Sequence, residues 1–331
     1  MIILMMNKRG LGEQFNWIFI IISGAIILGF FTMFAVKYID LEQNKEDLQS
    51  IRDFGNVLSA LEKLQTGDNG ASIDSNNPEE GLRFGYKLRL YYNCQDTEAK
   101  ISINEGGFAT YQLNDEIIFT ENEQYVHSLD MWLLPWRFPF HITNIIYLSD
   151  ISKKYYLVYD SSNRDYINNL ELSEAFDFQI VESSNFEPKE NSKVVFFTSR
   201  EPSEKTIESL KEGISDISFI YIDTGKKMVT FYDNGWGKTV EYYVDELMYG
   251  AIFSSDSESY DCGVKKALSK SRDVGNLVIE KANVLNQINK NTGCNYNNLA
   301  NMIRNFMAGK YDLLNQIEKQ NKPGSGCLWL Y

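Results

Sequence analysis

The chain has 331 residues, with 32 Lys and Arg against 45 Asp and Glu, a net charge of -13 and a pI near 4.8. That balance argues against nucleic acid as a partner, because phosphate binding needs clustered cations and no basic run occurs. Aromatics at 14% and only six prolines argue against disorder. Two histidines leave little material for a His-based metal site or acid-base triad, and the four cysteines are spaced too widely to resemble zinc pairs.

Gln14 to Val36 is a run without an ionisable group, preceded by Lys8 and Arg9. A bilayer core of about 30 Å needs about 20 mostly apolar helical residues, so this run has the length and character of a transmembrane helix. Phe15, Trp17, Ile20, Ile27, Phe30 and Phe34 are its expected anchor residues. The charges at its two ends favour a cytoplasmic N-terminus and an extracytoplasmic remainder, a place where cysteines can pair. A cleaved secretory signal has a shorter apolar region of about 7 to 15 residues and an A-x-A-like exit. This run leaves through TMFAVKYID, which favours a retained anchor.

Lys8-Arg9-Gly10 ahead of a long apolar helix resembles the class III signal of archaeal prepilins and archaellins. The resemblance covers about a tenth of the chain and implies cutting after the small residue, here Gly10. It departs from the bacterial form, which places Glu at the fifth mature position, where this chain has Phe15. More broadly the chain resembles single-pass membrane-anchored surface proteins with prepilin-like starts, a resemblance that implies no particular chemistry.

Residues 37–66 read as an amphipathic stalk helix. Leu41, Leu48, Ile51, Phe54, Leu58, Leu61 and Leu64 recur at spacings of three, four and seven. Its apolar face must pack either on the chain's own globular part or on a neighbour. Thr66 to Gly70 ends the helix, and residues 67–80 read as a linker.

Residues 81–149 form a β-rich region, with strands expected at Arg83–Tyr92, Ala99–Ile103 and Glu116–Thr120. Trp132 to Phe140 holds two tryptophans and two prolines, and reads as a buried crossover pinned by proline. The competing reading makes Trp132 and Trp136 a membrane-surface or partner-binding loop. His127 and His141 sit in aromatic or apolar settings and read as buried core histidines.

Residues 150–260 read as an α/β sheet domain. Strands are expected at Tyr155–Asp160, Phe178–Glu182, Val194–Thr198, Ile217–Ile222, Met228–Tyr232 and Val240–Val244, with a helix over Ser203–Glu212. Runs such as Val194 to Phe197 lack alternation, which suits a sheet covered on both faces. In such folds ligands bind beyond the C-terminal strand ends. Here these are Asp160-Ser161-Ser162, Thr198-Ser199-Arg200 and Asp223-Thr224-Gly225. No G-x-G-x-x-G or Walker loop follows any of them, so no nucleotide or other cofactor is expected. Ser254 to Ser259 reads as the cap of the helix that follows.

Residues 261–331 read as a helix hairpin, Cys262 to about Asn289 and Asn297 to about Gln320, with a C-terminal strand. A helix of about 28 residues spans about 40 Å, which separates Cys262 from Cys294. The returning helix then brings Cys327 beside Cys262, so the expected bridges are Cys262–Cys327 and Cys94–Cys294. A bend at Gly275 or Gly309 breaks this argument.

The fold class is therefore α/β with α+β elements: an N-terminal transmembrane helix, an amphipathic helix, a β-rich region, a layered sheet domain and a helix hairpin. No catalytic or metal constellation stands out. Two functional classes follow. One is a structural or interaction module, pilin-like, with the bilayer and a second copy or another surface protein as partners through Leu41, Leu48, Ile51 and Leu58. The other is a membrane-tethered enzyme or small-molecule-binding domain. An exposed apolar stripe over residues 41–64 marks the first; a pocket where carboxylates meet an Arg such as Arg200 marks the second.

Overall fold

The computed structural model describes residues 8–63, 70–73, 82–104, 109–137, 139–233, 236–288, 295–313, 316–317, 327–328 and 330. It has two compact units, Met1–Ser50 and Ile51–Tyr331. Helix α1, Lys8–Glu62, has 55 residues. Within the first unit, Ile27, Phe30 and Phe34 are exposed, as are Leu41 and Leu48. Among the described residues α1 is the one helix long and apolar enough to cross a membrane.

The second unit is an α/β structure of two mixed sheets. The first sheet orders its main path β4-β3-β2-β6-β7-β5, and β1 pairs separately with β6. These strands are β1 (Ala71–Ile73), β2 (Leu82–Gln95), β3 (Glu98–Ile103), β4 (Ala109–Leu113), β5 (Ile117–Phe119), β6 (Glu123–Arg137) and β7 (His141–Asp150). The second sheet contains β8 (Lys154–Tyr159), β9 (Asp177–Glu182), β10 (Ser192–Phe197), β11 (Ile217–Asp223), β12 (Met228–Asp233) and β13 (Trp236–Glu241), in the order β13-β12-β11-β10-β8-β9. The helices of this unit are α2 (Arg164–Asn168), α3 (Glu204–Lys211), α4 (Asp245–Phe253), α5 (Ser257–Ile288) and α6 (Asn297–Met307).

Strand periodicity explains how these elements stack. In β2, Phe84, Leu88, Leu90 and Tyr92 point inward and alternate with Arg83, Lys87 and Arg89. They share a core with Ile51, Phe54 and Leu58 from the end of α1. The second half of β6 is buried on both faces. Met131 and Leu133 join that same core, while Trp132, Leu134 and Trp136 join a second core with α4, α5, α6 and one face of the other sheet. That other sheet divides in the same way: Leu157, Val195 and Phe197 face the helix layer, and Val158, Val194 and Phe196 face α3. Its central strands are parallel and covered on both sides, which is why their sequences read as continuous apolar runs.

Several expectations are corrected here. The tryptophan segment is neither a crossover nor a loop. It is the end of β6, and Pro135 sits opposite Asn144 of β7. The stretch expected as a linker contains β1, whose Ser72 lies opposite Trp132. Gly70 enters that strand at φ +75, where a Cβ would lie 2.1 Å from the Leu133 carbonyl oxygen, so glycine is required. His127 and His141 occupy exposed positions, because each falls on an outward step of its strand.

The cysteine pairing also differs. Cys94 bonds to Cys262, with Cα atoms 5.8 Å apart, so the bridges Cys262–Cys327 and Cys94–Cys294 do not form. Cys262 sits near the start of α5, which packs beside the end of β2. The hairpin argument fails because α6 has only 11 residues and stops before Gly309 at φ +99. The continuous helix to about Gln320 that it required is therefore interrupted at residues 308–310. Cys327 is itself disulfide-bonded, and Cys294 lies outside the described residues.

Candidate functional site

The second sheet has a topological switch point. From β8 the chain passes through α2 to β9 on one side, then crosses back to β10 on the other, so β8 and β10 are parallel neighbours whose following loops diverge. Open α/β sheets present ligand crevices at such points. Asp160 follows β8, and Thr198, Ser199 and Arg200 follow β10. One Asp160 carboxylate oxygen accepts hydrogen bonds from the Ser199 amide and hydroxyl, both at 2.6 Å. The other accepts from the Ser162 amide at 3.2 Å, the Ser162 hydroxyl at 2.5 Å and Asn163 Nδ2 at 3.1 Å. Burial pushes this carboxyl up, but the bonds from Ser162, Ser199 and Asn163 outweigh it and hold it well below the usual carboxylate range.

Beside this knot lies a crevice of about 350 Å³ whose lining includes Val158, Phe186, Phe196 and Leu210, with Asp160, Thr198 and Arg200 at its polar side. Helix α3 starts next to it. Its Ser203 hydroxyl accepts from the Thr206 amide at 3.3 Å, and the neighbouring Glu201 accepts from the Tyr232 hydroxyl at 2.9 Å. Two of the three loops expected at the strand ends thus meet. The third does not join them, because Asp223 accepts from the Lys226 amide at 2.9 Å and pairs with its ammonium at 3.0 Å.

A second polar cluster holds the end of α1 against the first sheet and α5. The Ser59 hydroxyl donates to Glu116 at 2.7 Å, and the Tyr111 hydroxyl donates to the same oxygen at 3.0 Å. Asn144 Nδ2 donates to the carbonyls of Leu61 and Glu62 at 3.1 and 3.2 Å, closing carbonyls that the helix end leaves open. Lys270 pairs with Glu62, and buried Lys266 donates to the Leu113 carbonyl. Elsewhere, buried Lys193 donates to the carbonyls of Ala251 and Ser254, which places a cation at the negative end of α4. Sequence reasoning missed these buried lysines. The available signals were a lone Lys inside the apolar strand run of β10 and one on the buried side of α5.

Of the residues expected to meet a partner, Leu41 and Leu48 are exposed. Ile51, Leu58, Trp132 and Trp136 are core residues at 3%, 0%, 2% and 0% exposure, which agrees with the buried reading of the two tryptophans and corrects the competing reading of these residues as a contact surface. Lys8, Arg9 and Gly10 lie in the first residues of α1, and the side chains of Phe15, Trp17 and Ile20 are outside the described set. Among the described residues no group of His, Cys, Asp and Glu has the arrangement of a metal site.

What the geometry defines is a mixed α/β structure in which the Cys94–Cys262 disulfide joins the first sheet to the helix layer, in a chain with a long apolar helix near its N-terminus. No protein-family model, curated protein or solved structure matches the chain.

Proposed function

We propose that this chain is a single-pass membrane protein with a cytoplasmic N-terminus and an extracytoplasmic head, working as an interaction module in the manner of a pilin-like surface subunit. The observation that carries the reading is the combination of an uncharged helical run, Gln14 to Val36, whose large apolar residues from Ile21 to Val36 are exposed, with a disulfide inside the head. The basic residues ahead of the run support the orientation. Two features support the pilin-like layout: Lys8-Arg9-Gly10 before the apolar helix, and the packing of Ile51, Phe54 and Leu58 from the same helix on strands of the head. Leu41 and Leu48 remain exposed on that helix for a second copy or another surface protein, and the bilayer is the first partner.

The test is the intact mass of the native protein after thiol alkylation with and without reduction, together with protease treatment of whole cells. Protection of all four thiols until reduction, with a head digested from outside, supports export. Loss of residues 1–10 adds prepilin-type processing. Four freely alkylated thiols and a head that survives protease until the cells are opened overturn the proposal.

A further inference from the structure

The crevice at the switch point goes beyond an interaction role and stands whether or not the head is exported. From its lining and charge we infer that it binds a small organic monocarboxylate with an aromatic or aliphatic body.

Three observations converge on that class. First, the crevice is apolar on one side. The Phe186 and Phe196 rings meet edge to face with centroids 6.4 Å apart, and Val158 and Leu210 continue the wall, leaving about 350 Å³. This lies at the small end of the range for ligand pockets. Second, the donors that a phosphate uses at such a switch point are consumed. The Ser199 amide and hydroxyl and the Ser162 amide and hydroxyl all bond to Asp160. A phosphate placed there meets a carboxylate already occupying its position, so the site disfavours nucleotides and phosphorylated ligands. Third, Arg200 is among the residues that line the crevice, and its side chain makes no hydrogen bond or ion pair among the described residues; its backbone carbonyl accepts from the Thr198 hydroxyl at 2.7 Å. A guanidinium fork matches one carboxylate in bidentate fashion. An apolar wall and one arginine without a side-chain partner among the described residues, with Asp160 filling the phosphate donors from within, favour an amphipathic ligand with a single negative charge over a dianion.

The experiment uses the full chain in lipid nanodiscs, so that detergent does not compete for the apolar wall. The titrants are 3-phenylpropionate, its neutral amide and inorganic phosphate, followed by calorimetry and by ligand-observed NMR. Saturable binding of the carboxylate is expected, with the amide weaker and phosphate without effect. Arg200→Gln is exposed and outside every core; it should weaken the carboxylate about tenfold or more while leaving the amide unchanged. Arg200→Lys, which keeps the charge without the fork, should fall between. The inference is overturned by no saturable binding to the wild-type chain, by equal carboxylate affinity in Arg200→Gln, or by phosphate binding as tightly as the carboxylate.

Discussion

Removing the Cys94–Cys262 bridge by the double substitution Cys94→Ala with Cys262→Ala is the sharpest test of how the head is held together. Both cysteines must go, because a single substitution leaves a thiol able to exchange with the bond at Cys327. The bridge joins residues 168 apart in sequence. Closing a loop of that length in the unfolded chain removes conformational entropy worth about 5 kcal/mol at 25 °C on the chain-entropy account, and losses of about 2 to 5 kcal/mol are usual for native bridges. Cys262 is 5% exposed, so its alanine also leaves a small void beside α5. The variant should therefore lose about 3 to 5 kcal/mol, and its midpoint of thermal unfolding should fall by about 10 °C for a head of this size. Guanidinium unfolding of the full chain in nanodiscs, read through the fluorescence of buried Trp132 and Trp136, supplies the measurement. A variant with the wild-type midpoint and slope refutes the reasoning, since it means that the bond constrains nothing in the unfolded chain. Disulfide mapping of the wild type should find a Cys94–Cys262 peptide pair, and a Cys262–Cys327 pair refutes the topology itself.

Three further outcomes follow from named contacts. Gly55→Ala should destabilise the head by about 1 to 3 kcal/mol, although alanine is the better helix former by about 1 kcal/mol, because the new Cβ would lie 2.3 Å from the Tyr111 ring; in a Tyr111→Ser background the sign should reverse, and denaturation midpoints of the four proteins decide it. Burial pulls the Lys266 ammonium down from its ordinary 10.5 to about 8 against the attraction of Glu116, so between those values the unfolded chain binds the extra proton and stability rises with pH by about 3 kcal/mol. Lys266→Met should abolish that rise in the difference between wild-type and variant stability curves over pH 7 to 11, and parallel curves count against the buried amine. Asp160→Ala should speed amide exchange at Ser162 and Ser199 by tenfold or more while leaving the β10 amides unchanged, because both exposed loops hang on that one carboxylate; exchange unchanged at both positions refutes the knot.

Much of the sheet architecture was legible in the sequence, and the exceptions have physical causes. Five of the six strands of the second sheet fall where apolar runs between turn signals place them, and Ser203 caps the helix expected to follow; the sixth, expected at Val240–Val244, lies earlier, at Trp236–Glu241. In the first sheet β2 was readable because one face packs while the other meets solvent. The second half of β6 was not, because both of its faces are covered and the alternation that identifies a strand is erased. The two halves of the crevice were also visible, as polar triplets after apolar strands. Their meeting was not, since it depends on β10 returning to the far side of β8, a pairing of residues about forty apart that no local pattern encodes. The disulfide failed for the same reason. Local periodicity ran the last helix on past Gly309, and an error in one element's length became an error in long-range connectivity.

The stripe from Leu41 to Leu64 shows why periodicity alone did not choose between the two functional classes. A heptad-like row of apolar residues states that a helix face needs cover, and is silent about what covers it. The answer changes along the row. From Ile51 to Leu58 the cover is the chain's own first sheet, and the seat is fixed further by Ser59, Glu62, Asn144 and Lys270. Those residues cannot serve a partner without opening the core. Among the described residues of the row, Leu41 and Leu48 are the ones left exposed, at 67% and 39%. On the proposed reading, self-association through this row of residues rests on Leu41 and Leu48. Leu41→Asp with Leu48→Asp should consequently abolish association in the bilayer, measured by cross-linking, and leave the head's unfolding midpoint within about 0.5 kcal/mol of wild type, the usual limit for exposed positions. Unchanged cross-linking in that variant removes the helix from the interface and takes with it the pilin-like part of the proposal.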